Sequence, residues 1–194
     1  EQDLGITVYR GGSLRAIGDL NDQGGAVGFF GTTEEAQFWR GIAFEETERS
    51  RNELSHVQLF GAGAFPARFA DEPAAVSLVR GANATLDQVL VFSTGDYGLY
   101  LDSGATGTIT ASDFGSLSGG VYAHADAAHL VGPSNNYGGT DDVAVVVRAG
   151  TITDDVSWEQ TKVPYRIVPN STSDAVTVSD QGSPDFAPGV TAEF

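Results

Sequence analysis

Glycine closes one short β-type run after another along this chain, and that punctuation limits what it can fold into. Ile6-Thr7-Val8-Tyr9 precedes Gly11-Gly12, Leu14-Arg15-Ala16-Ile17 precedes Gly18, and Ala26-Val27-Gly28-Phe29-Phe30 precedes Gly31. Short runs of β-branched and aromatic residues bounded by turn residues read as strands. The 25 glycines of the 194 residues are spread between such runs instead of gathered in one linker, so many short strands are expected. The segment TTEEAQFWR offers a weak helix start at Thr33 and Ala36, but its apolar content is too short for an independent helix. It reads as a loop leading into a strand at Gly41-Ile42-Ala43-Phe44. No long amphipathic helix is present, and the expected class is all-β.

Further along, the charged stretch EETERSRNE reads as a solvated turn. It precedes Leu54-Ser55-His56-Val57-Gln58-Leu59, where Leu54, Val57 and Leu59 are expected inside and His56 outside. Residues 61–73, GAGAFPARFADEP, have no period and two prolines, and read as a loop insertion standing out from the rest. Alternation resumes at Ala75-Val76-Ser77-Leu78-Val79 and runs through Thr85-Leu86, Val89 to Phe92, Gly98 to Leu101, Gly107 to Thr110 and Gly120 to Ala123. The most apolar run, Val143 to Val147, suits a strand buried on both faces or one at a seam with a neighbour. Thr151-Ile152-Thr153 and Pro164 to Val168 read as strands flanking a loop, DDVSWEQTKV.

The length suits one domain, residues 1–194, with a substantial core. Ten basic and 26 acidic residues give a formal charge of −16, which opposes nucleic acid or an anionic membrane as partner and favours a soluble surface. Cysteine is absent, which excludes disulfides, thiol catalysis and Cys-ligated zinc. Methionine is absent too, so the sequence reads as a processed product or an excised piece, and a mature secreted protein is expected. No apolar run reaches the length of about 18 residues that a spanning helix needs.

The C-terminal stretch DAVTVSDQGSPDFAPGVTAEF begins another alternating run at Val190 and stops without a cap. Written after it, the first residues continue the pattern: PGVTAEF, then EQDLGITVYRGGSLRAIG, reads as strand, turn, strand, glycine turn, strand. The two ends look complementary. Leu4, Ile6 and Val8 at one end, with Val190, Ala192 and Phe194 at the other, are the candidate residues of a junction between copies.

Several phrases carry a family likeness: Gly12-Ser13-Leu14-Arg15-Ala16-Ile17-Gly18, Phe38-Trp39-Arg40-Gly41-Ile42-Ala43-Phe44, Leu54-Ser55-His56-Val57, YGLYLDSGATGTIT, VPYRI and Pro188-Gly189-Val190-Thr191. Together they resemble the secreted bacterial right-handed parallel β-helix proteins, the pectate-lyase-like superfamily in its non-enzymatic repeat branch. The resemblance touches nearly the whole length and implies a single right-handed parallel β-helix, a β-solenoid. It implies nothing about activity. In the family order the PGVT phrase precedes the GGSL phrase, whereas here they lie at opposite termini, as though the chain were cut between successive coils. Physically, coils that cannot bury their apolar faces alone stack into inward ladders.

Chemistry is sparse. Asp141-Asp142, Asp154-Asp155 and Asp19 with Asp22 are ordinary turn acids that could also take calcium or serve as a glycosidase pair. The Gly-His-Gly turn and Arg-x-Lys rung of polysaccharide-cleaving β-helices are missing. In the HADAAH phrase His124, Asp126 and His129 match no strong metal spacing. Tyr97, Tyr100, Tyr122 and Tyr137, or Phe38 and Trp39, would form a sugar platform if exposed and a packing ladder if not. Asn83-Ala84-Thr85 and Asn170-Ser171-Thr172 are sequons. No resident cofactor, catalytic residue or metal ligand is expected, and the chain reads as a non-enzyme. The leading expectation is an extracellular structural subunit, secreted or at the cell surface, stacking head to tail with copies of itself. A carbohydrate-binding or adhesin domain, with polysaccharide as partner, is the alternative, and a polysaccharide lyase or hydrolase is the third.

Overall fold

The computed structural model describes residues 4–19, 25–31, 38–47, 51–92, 94–115, 119–137, 143–170 and 175–193. In chain order the strands are β1 (Ile6–Tyr9), β2 (Arg15–Ile17), β3 (Val27–Phe30), β4 (Ile42–Glu45), β5 (Glu53–Phe60), β6 (Ala74–Val79), β7 (Asn83–Phe92), β8 (Tyr97–Leu101) and β9 (Thr106–Thr110). They continue with β10 (Asp113–Phe114), β11 (Gly119–His124), β12 (Val145–Arg148), β13 (Thr151–Ile152), β14 (Asp155–Trp158), β15 (Tyr165–Val168), β16 (Thr177–Val178), β17 (Ser183–Phe186) and β18 (Ala192–Glu193). One 3₁₀ turn, Ala128–Leu130, is the helical element among the described residues. The fold is all-β with parallel sheets, as the glycine-bounded runs predict at the level of class.

Eight strands form one sheet in the order β1-β4-β6-β8-β11-β12-β15-β18. Between each two neighbours the chain leaves this sheet. It enters a second sheet, ordered β10-β7-β5-β2 with β3 beside β5 and β9 beside β7, or the small pairs β13-β16 and β14-β17, except between β11 and β12, where the described excursion holds the 3₁₀ turn and a single bridge from Asn136 to Asp113. The intervals between register partners in the first sheet are roughly 20 to 36 residues, long enough for the crossover that parallel strands require. Eight strands therefore enclose one fewer excursion to the other side, and the first and the last described strand both belong to the first sheet.

Alternation places one set of side chains between the two sheets. Ile6, Ile42, Val76, Leu99, Val121, Val145 and Tyr165 stand in register as one inward column, with Val8, Phe44, Leu78, Leu101, Ala123 and Val147 as the next. Leu54, Val57, Leu59, Leu86, Val89, Val91 and Ile109 meet them from the second sheet. Each such Val, Leu or Ile gives about 1.5–3 kcal/mol on full burial, which is what holds passes that could not bury an apolar face alone.

In the second sheet the alternation breaks at a left-handed residue within each of the long strands β5 and β7. Leu54 and Val57 both face inward because His56 between them has a left-handed φ of 53°. His56 is half-buried at this bend, so the expected outward position in a regular strand becomes a corner. Gln88, opposite it in register, has φ 53°, and Ala111, between β9 and β10, has φ 48°. Buried polar side chains serve the backbone at the corners. Asn52 Nδ2 donates to Thr47 Oγ1 (2.7 Å) and Asn83 O (2.8 Å), while its Oδ1 accepts from Leu14 N (3.3 Å). Asn135 Oδ1 accepts from Ser112 N (3.0 Å) and its Nδ2 donates to Ile109 O (3.1 Å). Glycine is required where passes touch: at Gly107, φ 131°, an added Cβ would lie 1.9 Å from Ala84 O.

Three features differ from the sequence reading. Residues 61–73 do not stand out: Ala62 enters the main core, and Ala67, Phe69 and Ala70 pack on the outer face of the first sheet over Val79, Tyr100, Tyr122 and Val146. The stretch DDVSWEQTKV contains β14, in which Val156 and Trp158 alternate inward between exposed Asp155 and Ser157; its acids hid that period. Strand β17 contains Pro184, tolerated because among the described residues β17 pairs on one side only. The run Val143 to Val147 resolves to burial on both faces, with Val145 and Val147 in the core and Val146 under the outer cluster. Among the described residues no helix is long and apolar enough to cross a membrane.

Candidate self-assembly interface

The sheet order sends β1 and β18 to opposite edges of the same eight-stranded sheet. Among the described residues β1, β2 and β3 each have one strand partner, as do β16, β17 and β18 at the other end. An open strand edge carries unpaired donors and acceptors and is a template for a further strand.

Both ends are also apolar. At the N-terminal end Leu4 is 68% and Phe30 61% exposed, with Ile17 and Tyr9 exposed beside them. A cavity of about 330 Å³ opens here, lined by Leu4, Ile6, Phe29, Phe30, Phe38 and Trp39 among others. Its floor is held in place: the Phe29 and Trp39 rings lie 6.4 Å apart, and Trp39 Nε1 donates to Phe60 O at 3.0 Å. At the C-terminal end Phe186 is 57% exposed, its ring 5.5 Å from that of Trp158, and Val178 is exposed too. Charge differs as well: exposed Arg10 and Arg15 flank and occupy the first edge strands, while exposed Asp180 and Asp185 flank and occupy the last.

Of the six junction candidates, Leu4 is exposed beside β1, Ile6 is half-buried and Val8 is buried in the core ladder. Val190 is half-buried against the core, and Ala192 is exposed in β18. Phe194 lies outside the described residues. Ile17, Phe30, Val178 and Phe186 were not singled out by sequence. The doublet Phe29-Phe30 held the signal, since in a strand only one of two adjacent rings can face the core.

The other chemical candidates do not converge. The HADAAH phrase is split. His124 Nε2 lies 3.0 Å from Arg148 Nη1; Asp126 accepts from Ser103 Oγ (2.7 Å) and Gly104 N (3.0 Å); and His129 Nδ1 contacts Asp126 O at 2.7 Å. His124 also lies near Asp71 and Asp102, but the Arg148 guanidinium stands among these carboxylates where a cation would. Among the described residues no three His, Cys, Asp or Glu side chains are arranged to hold a metal. Asp154 and Asp155 are exposed, whereas Asp22, Asp141 and Asp142 lie outside the described residues.

The tyrosines are covered. Tyr100 and Tyr122 stack with ring planes 7° apart beneath residues 67–70, and Tyr137 is in the main core. Burial pushes the Tyr122 and Tyr165 phenols up to about 12 and raises those of Tyr97, Tyr100 and Tyr137. No protein-family model, curated protein or solved structure matches the chain.

Proposed function

We propose that this chain is an extracellular structural subunit, a single right-handed parallel β-helix whose copies stack head to tail into a filament or tandem array. The observation that carries the reading is the placement of β1 and β18 at opposite open edges of one parallel sheet, which a second copy could extend in the same direction. The alternation between two sheets and the in-register inward columns support the solenoid. Right-handedness is the general rule for crossovers between parallel strands. The extracellular setting rests on the family resemblance.

A head-to-tail contact pairs unlike surfaces, and where its rotation does not close a ring it propagates into a fibre. Leu4 and Ile6 at the β1 edge would meet Val190 and Ala192 at the β18 edge, while Ile17 and Phe30 would face Val178 and Phe186 across the opposite side. With −16 per copy, screening by salt should strengthen the contact. A sugar-binding reading has less support because, of the tyrosines that would form its platform, Tyr100, Tyr122 and Tyr137 are buried and Tyr97 is partly buried.

Electron microscopy of wild type beside Leu4→Asp and a variant lacking residues 190–194 tests the proposal. Leu4 is exposed beside β1 in the single chain, so its substitution should leave the β-type circular dichroism intact and abolish fibres. Wild-type protein that stays monodisperse at micromolar concentration across a salt series overturns it.

A further inference from the structure

A second cavity, independent of the stack ends, lies on the outer face of the first sheet where residues 67 and 68 arch over β1, β4 and β6. Its volume is about 270 Å³, and Thr7, Tyr9, Glu45, Arg68 and Ser77 are among its lining residues. That is just under the roughly 300–1,000 Å³ of sites for drug-sized ligands, so its occupant is small.

Glu45 is the feature that needs explaining. It holds an outward position of β4, yet it is only 3% exposed, and among the described residues its carboxylate has no hydrogen bond or ion pair. Arg40 also lines the cavity without bonding to Glu45, and two further cations, Arg10 and Arg80, are engaged by Glu46. Glu46 takes Arg10, which lies closest, and Arg80 at 2.6 Å, and these two hold the Glu46 carboxyl below the usual range. Ser77, 2% exposed on the adjoining strand, likewise makes no side-chain hydrogen bond among the described residues. A buried carboxylate without a hydrogen-bond or ion-pair partner is costly, and a ligand can supply what is missing. At the mouth, the exposed Arg68 has no carboxylate partner among the described residues and rests over the Phe69 ring at 4.8 Å.

We propose that this cavity binds a small free α-amino acid, with Glu45 and the Ser77 and Thr7 hydroxyls receiving its ammonium group and Arg68 its carboxylate. An anion at the cavity floor and a guanidinium at its rim match a zwitterion with both charges close together, and a forked guanidinium suits a carboxylate. The apolar wall of Ala43, Ala67 and the Tyr9 ring leaves room for a short aliphatic side chain.

Calorimetric titration with three probes tests this: L-alanine, ethylamine as the ammonium alone, and propionate as the carboxylate alone. L-alanine should bind best. Glu45→Gln, close to isosteric, should weaken L-alanine and ethylamine by about tenfold or more. Arg68→Met, at an exposed position, should bring L-alanine down to the level of ethylamine and leave ethylamine unchanged. No binding of L-alanine to wild type, or equal binding to wild type and Glu45→Gln, overturns the proposal. If Glu45→Gln does not fold, the Arg68→Met comparison decides it, since an unchanged preference for L-alanine over ethylamine refutes the zwitterion site. Fibre formation is scored separately, so failure of either reading leaves the other intact.

Discussion

Arg148 donates to the carboxylate of Asp71, 77 positions earlier in the chain, and so ties residues 61–73 to the sixth strand of the first sheet. Tyr100 Oη also donates to Asp71, at 3.3 Å, and Phe69 lies under the Arg80 guanidinium at 3.6 Å. The lid over the outer face is thus held mainly by polar contacts at its rim. Arg148→Met should loosen it with little global effect, since Asp71 is 45% exposed and such a pair contributes at most about 1 kcal/mol. Trypsin cleavage after the exposed Arg68 is the readout, and it should speed up several-fold while the denaturant midpoint hardly moves. An unchanged cleavage rate would mean that the apolar contacts of Ala67 and Phe69 suffice.

The column of left-handed corners gives an opposite kind of prediction. A non-glycine residue pays roughly 1–2 kcal/mol for that conformation, whereas glycine adopts it freely at a smaller entropic cost. Gln88→Gly and Ala111→Gly should therefore stabilise the fold, by up to about 1 kcal/mol each in urea unfolding. Gly107→Ala should do the reverse by a larger amount, because its Cβ would collide with Ala84 O.

In the core, Leu99 sits in register between Val76 and Val121 with no exposed surface. Leu99→Ala should cost about 2–5 kcal/mol, the upper part of that range applying if the neighbouring passes cannot close the gap. Equilibrium unfolding measures it, and a loss well under 1 kcal/mol would mean that the columns are loosely packed.

Alkaline pH should destabilise the protein through its tyrosines. Their folded-state values are raised above the ordinary value near 10, chiefly by burial, so the native state holds its phenolic protons more tightly than the unfolded chain. The contribution is complete below about pH 10 and is lost as pH rises through about 12. Phenolate absorbance followed against pH should show Tyr122 and Tyr165 titrating late, together with loss of β circular dichroism. Mutation to Phe at either position should flatten the slope.

Sequence reading located most strands because their period is local: Ile6 to Tyr9, Ala75 to Val79 and Gly98 to Leu101 alternate cleanly and pair as parallel strands. It missed β14 and β17, where acids and Pro184 obscure the period, and it read His56 as a strand residue because a left-handed corner leaves no mark except the shift between Leu54 and Val57. Packing of residues 61–73 against Tyr100 and Tyr122 depends on contacts far apart in the chain, which no local pattern encodes. For the same reason Arg68 attracted no notice and Glu45 reads as the start of a solvated turn, whereas it is buried at the end of β4. The open edges were partly legible in the unfinished run at Val190, but the exposed Phe30 and Phe186 emerged only once the sheet order was known.

Because the first and the last described strand both belong to the first sheet, that sheet has one level more than there are described excursions to the side opposite. Two copies joined through β18 and β1 would make that sheet continuous, while β16 and β17 of one copy and β2 and β3 of the next would stay apart by the thickness of one further strand, about 4.8 Å beyond normal spacing. Such a fibre would be lopsided, seamless along one flank and notched along the other once per subunit. Each notch would be bordered by two bare backbone edges and by the rings of Phe186 and Phe30, and sized to admit an extended segment from another molecule. Decoration or cross-linking of the filament would then fall along a single line, repeating with the length of one chain.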